Sequence, residues 1–144
     1  MGRIMQLMKL RNSVDVVRAA EGQLAPDAVR HAEIEALVDT GATTLVLPAD
    51  VVATLGLHVQ GTRPVKYADG RVTDCPWVGN VEIEILGRKT ITTALVHEAG
   101  TTPLIGQIPL EELDLLVDPK SRELRVNPLS PDTPLMDSIS IAVV

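Results

Sequence analysis

From Ala32 to Val38, the apolar residues Ala32, Ile34, Ala36 and Val38 alternate with Glu33, Glu35 and Leu37. A period of two predicts a half-buried strand, and this one runs straight into Asp39. The alternation returns at Val81, Ile83 and Ile85, set between Glu82 and Glu84, and Gly87-Arg88 turns that segment back into Thr90–Val96 as a hairpin. Upstream, Ile4 to Leu10 reads as a first strand that ends at the turn signal Asn12-Ser13. Residues 12–30 have no clear period: Val14, Val16 and Val17 fit a strand extension, while Glu21-Gly22 and Ala25-Pro26-Asp27 fit loop.

Past Asp39, Thr44–Leu47 predicts another strand. Pro48 then opens a short helix, with Val51, Val52 and Leu55 on one face and Gly56 just past its end. Val65-Lys66-Tyr67 and Arg71-Val72-Thr73 flank Ala68-Asp69-Gly70, a strong hairpin-tip signal. Leu104-Ile105 is a brief apolar run broken by Gly106. Leu110, Leu113 and Leu116 recur every third residue and predict a helix over Pro109–Leu116, closed by Asp118-Pro119. A last strand follows at Glu123–Val126. The pattern is that of an all-β domain over residues 1–127 with one or two short helices. A proline-containing tail, residues 128–144, is expected to be a flexible linker ending in the apolar stretch Ile139–Val144.

Composition narrows the picture. A chain of 144 residues is long enough for one domain with a full core. With Trp77 and Tyr67 as the only aromatics, that core must be aliphatic. A net charge of −6 and scarce aromatics argue against nucleic acid, which needs clustered cations or stacking platforms. Cys75 stands alone, so no disulfide within the chain is expected and a reducing cytoplasm is the default. No apolar run approaches the ~18 residues of a membrane span. The opening Met1-Gly2-Arg3-Ile4-Met5-Gln6 carries neither a signal-type cleavage site nor a myristoylation pattern. A soluble, cytoplasmic protein is therefore expected.

Few residues suggest chemistry. His31, His58 and His97 are widely spaced without metal-ligand pattern, and no nucleophile elbow, Walker loop or dinucleotide fingerprint occurs. Neither metal nor cofactor is expected. Asp69 and Asp118 read as turn residues, and Glu111-Glu112 as a solvated pair near a helix start. The exception is Asp39-Thr40-Gly41, a carboxylate at a strand end followed by Thr and Gly. The plain alternative is an Asx turn in which Asp39 merely caps backbone.

With strand–Asp39-Thr40-Gly41, a hairpin tip and Leu104-Ile105-Gly106 in that order, the chain resembles the retropepsin-like aspartic proteases, the single-domain homodimeric relatives of pepsin. Leu55-Gly56-Leu57 after the first motif is similar to cytoplasmic bacterial and archaeal members. The resemblance implies a closed, barrel-like all-β fold with a hairpin flap. It also implies an aspartic endopeptidase whose two carboxyls come from two identical subunits, each giving Asp39. Thr40 is expected to hydrogen-bond across the two-fold axis, Gly41 to donate its amide to Asp39, and Ile105 and Gly106 to cross behind the loop. Ala42, Thr43 and the flap tip Ala68, Asp69 and Gly70 are expected to meet an extended peptide. Two features depart from the viral pattern: Thr43 and Thr44 replace acidic residues, and Gly70 is the only glycine at the flap tip. They favour an alternative reading, a dimeric peptide-binding scaffold with weak catalysis.

Overall fold

The structure, a computed structural model, describes residues 3–136, so the apolar stretch Ile139–Val144 lies outside the described residues. Strand β1 (Met5–Asn12) runs antiparallel to β2 (His31–Val38), with Met8 opposite Ile34. Between them the valine-rich stretch is not a strand extension but a helix, α1 (Ser13–Ala20). Capping overrides the β preference of its valines. The Asn12 side-chain oxygen accepts from the amides of Val14 (3.0 Å) and Asp15 (3.2 Å), satisfying donors that the first helical turn leaves open. The Asn12 amide group in turn donates to the Leu55 carbonyl at 2.9 Å, tying this cap to the body.

A second anchor is the buried Asp15, which accepts from Arg30 Nε at 2.8 Å, Arg30 Nη2 at 2.9 Å and the Arg30 amide at 3.0 Å. These hydrogen bonds, with the guanidinium charge, hold the Asp15 carboxyl down at about 2, against an ordinary 3.8. A depressed folded-state value means the contribution is complete above the ordinary carboxylate range and disappears as pH falls through the folded value. Asp15→Asn is thus expected to lower stability at neutral pH by about 1–2 kcal/mol. It should also flatten the loss of stability between about pH 4 and pH 2. Urea melts of both proteins across that window check this, and parallel curves would count against it.

After β2 come β3 (Leu45–Pro48), α2 (Ala49–Thr54), β4 (Val59–Lys66) and β5 (Val72–Ile85). The predicted segments at Arg71–Thr73 and Val81–Ile85 are two ends of this one long strand. β6 (Arg88–His97) returns from β5 through Leu86 and Gly87, both at positive φ (51° and 80°), the geometry a two-residue hairpin loop requires. β7 (Leu104–Ile105), α3 (Gln107–Glu112), β8 (Leu115–Asp118) and β9 (Glu123–Val126) complete the described chain.

The strands pair in the order β1-β2-β7-β3-β6-β5-β4, and β1 also pairs with β5. That extra pairing closes the sheet into a barrel and leaves β4 outside it, hung on β5. Closure removes the edge that β1 would otherwise present, while β4 keeps an open outer edge. The apolar core holds no aromatic side chain: Met8, Leu10, Leu45, Leu47, Leu55, Val78, Val81, Ile83, Ile85, Ile105 and Leu113 are essentially inaccessible to solvent. Trp77 and Tyr67 are only half-buried. Among the described residues no helix is long and apolar enough to cross a membrane.

The helix predicted over Pro109–Leu116 is shifted and shorter. It spans Gln107–Glu112 and stops because Asp114 sits at φ 53°, in the left-handed region. The Asp114 carboxylate accepts from the Asn127 side chain (3.0 Å), from the Ser130 hydroxyl and from the Leu135 amide (3.1 Å), which together keep its carboxyl below the ordinary range. Leu115 and Leu116 then alternate as buried and exposed, so the leucine spacing hid a change of period. Glu111 and Glu112 consequently lie at the helix end rather than its start. They accept from Gln107 Nε2 (2.9 Å) and from the Thr90 hydroxyl, respectively, and do not serve a helix N-terminus. Beneath them the buried Arg88 donates to the carbonyls of Leu113 (3.0 Å), Asp114 (3.0 Å) and Ser130. The start of the expected linker is thereby held against the domain.

Candidate active site

β2 ends at Val38, and the next residue, Asp39, donates its amide to the Ile105 carbonyl at 3.0 Å. β7 lies parallel to β2 there, with Leu37 beside Leu104 and Val38 beside Ile105, and antiparallel to β3 at Val46. A two-residue strand thus bridges the strands entering and leaving the loop 39–44. That is why a carboxylate can be held at a chain reversal while the backbone around it remains bonded.

Within the loop, the Ala42 amide donates to the Asp39 carbonyl at 3.1 Å, closing a tight turn. The Gly41 amide donates to Asp39 Oδ1 at 3.0 Å, which orients the carboxylate. A Cβ on Gly41 would stand 3.2 Å from that oxygen, so a side chain there would crowd the group being positioned. Asp39 is half-buried, whereas Thr40, Gly41 and Thr43 are exposed. A partly desolvated carboxylate ringed by small, open positions leaves room for a reacting group.

The far wall of the loop is backbone. Gln107 and Ile108 donate their amides to the carbonyls of Ala42 and Thr43, each at 2.8 Å. A Cβ on Gly106 would lie 2.3 Å from the Thr44 carbonyl oxygen and 2.7 Å from both the Thr44 nitrogen and the Ala42 oxygen. Only glycine permits that approach. Thr44 also donates its hydroxyl to the Thr93 carbonyl at 3.3 Å, joining the loop to β6. The sequence pointed to Ile105 and Gly106; the roles of Gln107, Ile108 and Thr93 are carried by main-chain groups that leave no residue-type signal.

Asp39, Thr40, Gly41, Ala42, Thr43, Ile105 and Gly106 are therefore brought together. Ala68, Asp69 and Gly70 lie apart, at the tip of the β4–β5 hairpin. There Gly70 (φ 84°) donates to the Tyr67 carbonyl at 2.9 Å, and Asp69 Oδ1 accepts the Arg71 amide at 2.9 Å. Asp69 is thus a turn residue. So is Asp118, whose Oδ1 accepts the Lys120 amide at 2.9 Å. Beyond Trp77, the β5 residues 72–76 pair with β4 alone, so the hairpin reaches past the barrel as a two-stranded arm. Pro64 and Pro76 fall on this arm, where a missing amide interrupts no barrel ladder. The three histidines stand apart: His31 and His58 are exposed, and His97 meets Tyr67 with its Nε2 3.3 Å from the phenol oxygen. The buried thiol of Cys75 donates to the Val96 carbonyl at 3.3 Å.

The family model described as "gag-polyprotein putative aspartyl protease" matches residues 28–112, more than half of the chain and inclusive of loop, arm and bridging strand. No curated protein sequence matches. Among solved structures, the chain is similar to EIAV protease complexed with the inhibitor HBY-793, at 23% identity and a TM-score of 0.47, over 55% of this chain and 75% of that one. The chain belongs to the gag-polyprotein aspartyl protease family, the retropepsin-like aspartic endopeptidases.

Proposed function

We propose that two copies of this chain pair about a two-fold axis and that each contributes Asp39 to one catalytic dyad. The observation that carries this reading is the single, half-buried Asp39 held by the Gly41 amide and strapped from behind by residues 105–108. Peptide hydrolysis by this route needs one carboxylate to take a proton from water and one carboxylic acid to polarise the scissile carbonyl. One loop supplies only one of these groups. Two carboxyls brought close cannot both ionise cheaply, so they share a proton and titrate as a coupled pair. This splitting is the general behaviour of aspartic proteases.

In the dimer, the exposed Thr40 hydroxyl hydrogen-bonds across the axis and fixes one loop against the other. Gly41 orients Asp39 and leaves space for the substrate. Ala42 and Thr43 line the floor, and Ala68, Asp69 and Gly70 close over an extended peptide, which binds by strand addition. The substrate is a peptide or an unfolded protein segment. Residues 1–127 form the domain and 128–144 a tail whose start is bound back to it through Ser130 and Leu135. The single buried Cys75 suits a cytoplasmic setting.

The test is cleavage of a diverse peptide library from about pH 4 to pH 7, the range that suits a shared proton, at several protein concentrations. Turnover per chain should rise with concentration until dimers saturate, because a monomer has half a site. Turnover independent of concentration, with the chain monomeric in solution, would overturn the shared dyad. Saturable peptide binding without products would support the scaffold reading instead.

A further inference from the structure

The β4–β5 arm has an unsolved mechanical problem. A two-stranded ribbon by itself is marginal in water, and residues 62–66 and 72–76 have no third strand. Something must hold its tip in place if Ala68-Asp69-Gly70 is to stand at a defined height over a bound peptide. Two side chains reach from the arm to the end of β6. Cys75, near the arm's base, meets the Val96 carbonyl. Tyr67, at the root of the tip turn, meets His97, two residues past Leu95, where the β5–β6 ladder ends.

We infer that the Tyr67–His97 contact is a latch that sets the position of the flap tip, which makes both side chains positioning residues for peptide cleavage. Tyr67 is rigidly coupled to the tip: its amide donates to the Arg71 carbonyl at 2.8 Å, and its carbonyl accepts the Gly70 amide at 2.9 Å. Wherever its ring goes, the tip follows. Two groups meet the ring, with the Arg71 guanidinium 5.1 Å from its centroid and the His97 ring 5.9 Å away at 40°. Both residues are half-buried, so the phenol–imidazole bond is partly shielded from competing water. The latch pre-orders the tip before substrate arrives and so acts on binding more than on the chemical step. Neither residue belongs to the Asp39 loop or to the strap behind it.

This inference rests on the flap reading above, so its test has one arm that needs no substrate. Tyr67→Phe removes the hydroxyl while keeping the ring that Arg71 covers. His97→Leu removes the imidazole partner, and His97→Gln restores a hydrogen-bonding amide near the place of Nε2. Hydrogen exchange at the Tyr67 and Gly70 amides is expected to quicken about three- to tenfold in Tyr67→Phe and His97→Leu. The double variant should be no faster than either single one, and His97→Gln should stay near wild type. With a library peptide that wild type cleaves, KM should rise about three- to tenfold in the same two variants while kcat changes less than about twofold. Unchanged exchange at the tip, additive single effects, or a loss confined to kcat would each overturn the latch. Faster exchange in a chain that cleaves no library peptide at all would overturn its role in cleavage and, separately, the proposed function.

Discussion

Replacing Asp39 with Asn is expected to reduce peptide cleavage by at least about 10³-fold, the loss expected when a positioned proton acceptor becomes an amide. Asparagine is nearly isosteric and can still accept the Gly41 amide that now reaches Oδ1 at 3.0 Å, so the loop should keep its shape. Thermal melting and dimer content should therefore match wild type. The shared dyad adds a sharper requirement. When equal amounts of wild type and Asp39→Asn exchange subunits freely, only about one quarter of the dimers carry two aspartates. Activity per wild-type chain should then fall by about half, whereas two independent sites would leave it unchanged. Cleavage by Asp39→Asn alone would remove Asp39 from the chemistry altogether.

Gly106→Ala should be strongly destabilising, because the atoms its methyl would strike are main chain. The new carbon would stand 2.3 Å from the Thr44 carbonyl oxygen, and that neighbour is main chain, bounded by the bonds from Gln107 and Ile108 to Ala42 and Thr43. No rotamer change relieves such a clash; β7 or the loop must move. Overpacking of this kind costs about 1–3 kcal/mol or more. At this chain length that is a fall in melting temperature of roughly 2–4 °C per kcal/mol. Because the strap bears on the segment carrying Asp39, cleavage should decline even at temperatures where the variant is folded. Gly79→Ala is the control, since a Cβ there meets nothing within 4 Å. Equal melting temperatures for the two variants would show that the crossing is not tightly packed.

Much of this site is legible in the sequence. The alternation of Ala32, Ile34, Ala36 and Val38 located a strand end, and only a few residue types can follow it as Asp39-Thr40-Gly41 do. The hairpin tip at Ala68-Asp69-Gly70 was equally legible, because a left-handed position favours glycine and Asx turns favour aspartate. These are local rules, and each depends on a few neighbouring residues. Where competing rules were equally local, the pattern misled. Val14, Val16 and Val17 carry strand preference, yet Asn12 caps a helix there, and Leu110, Leu113 and Leu116 keep helical spacing across a boundary set by Asp114.

By itself, then, the sequence determined the all-β character, the aliphatic core and the place of the carboxylate. Tertiary structure decided what depends on residues far apart in the chain. Pairing of β1 with β5 closes the barrel, and β7 slides between β2 and β3 to strap the Asp39 loop. Arg30 reaches back to bury Asp15 and commit α1 to a helix, and His97 meets Tyr67 across thirty positions. The physical reason is that turn and cap preferences are short-range steric effects, whereas main-chain pairing and buried polar contacts form only between groups that folding brings together.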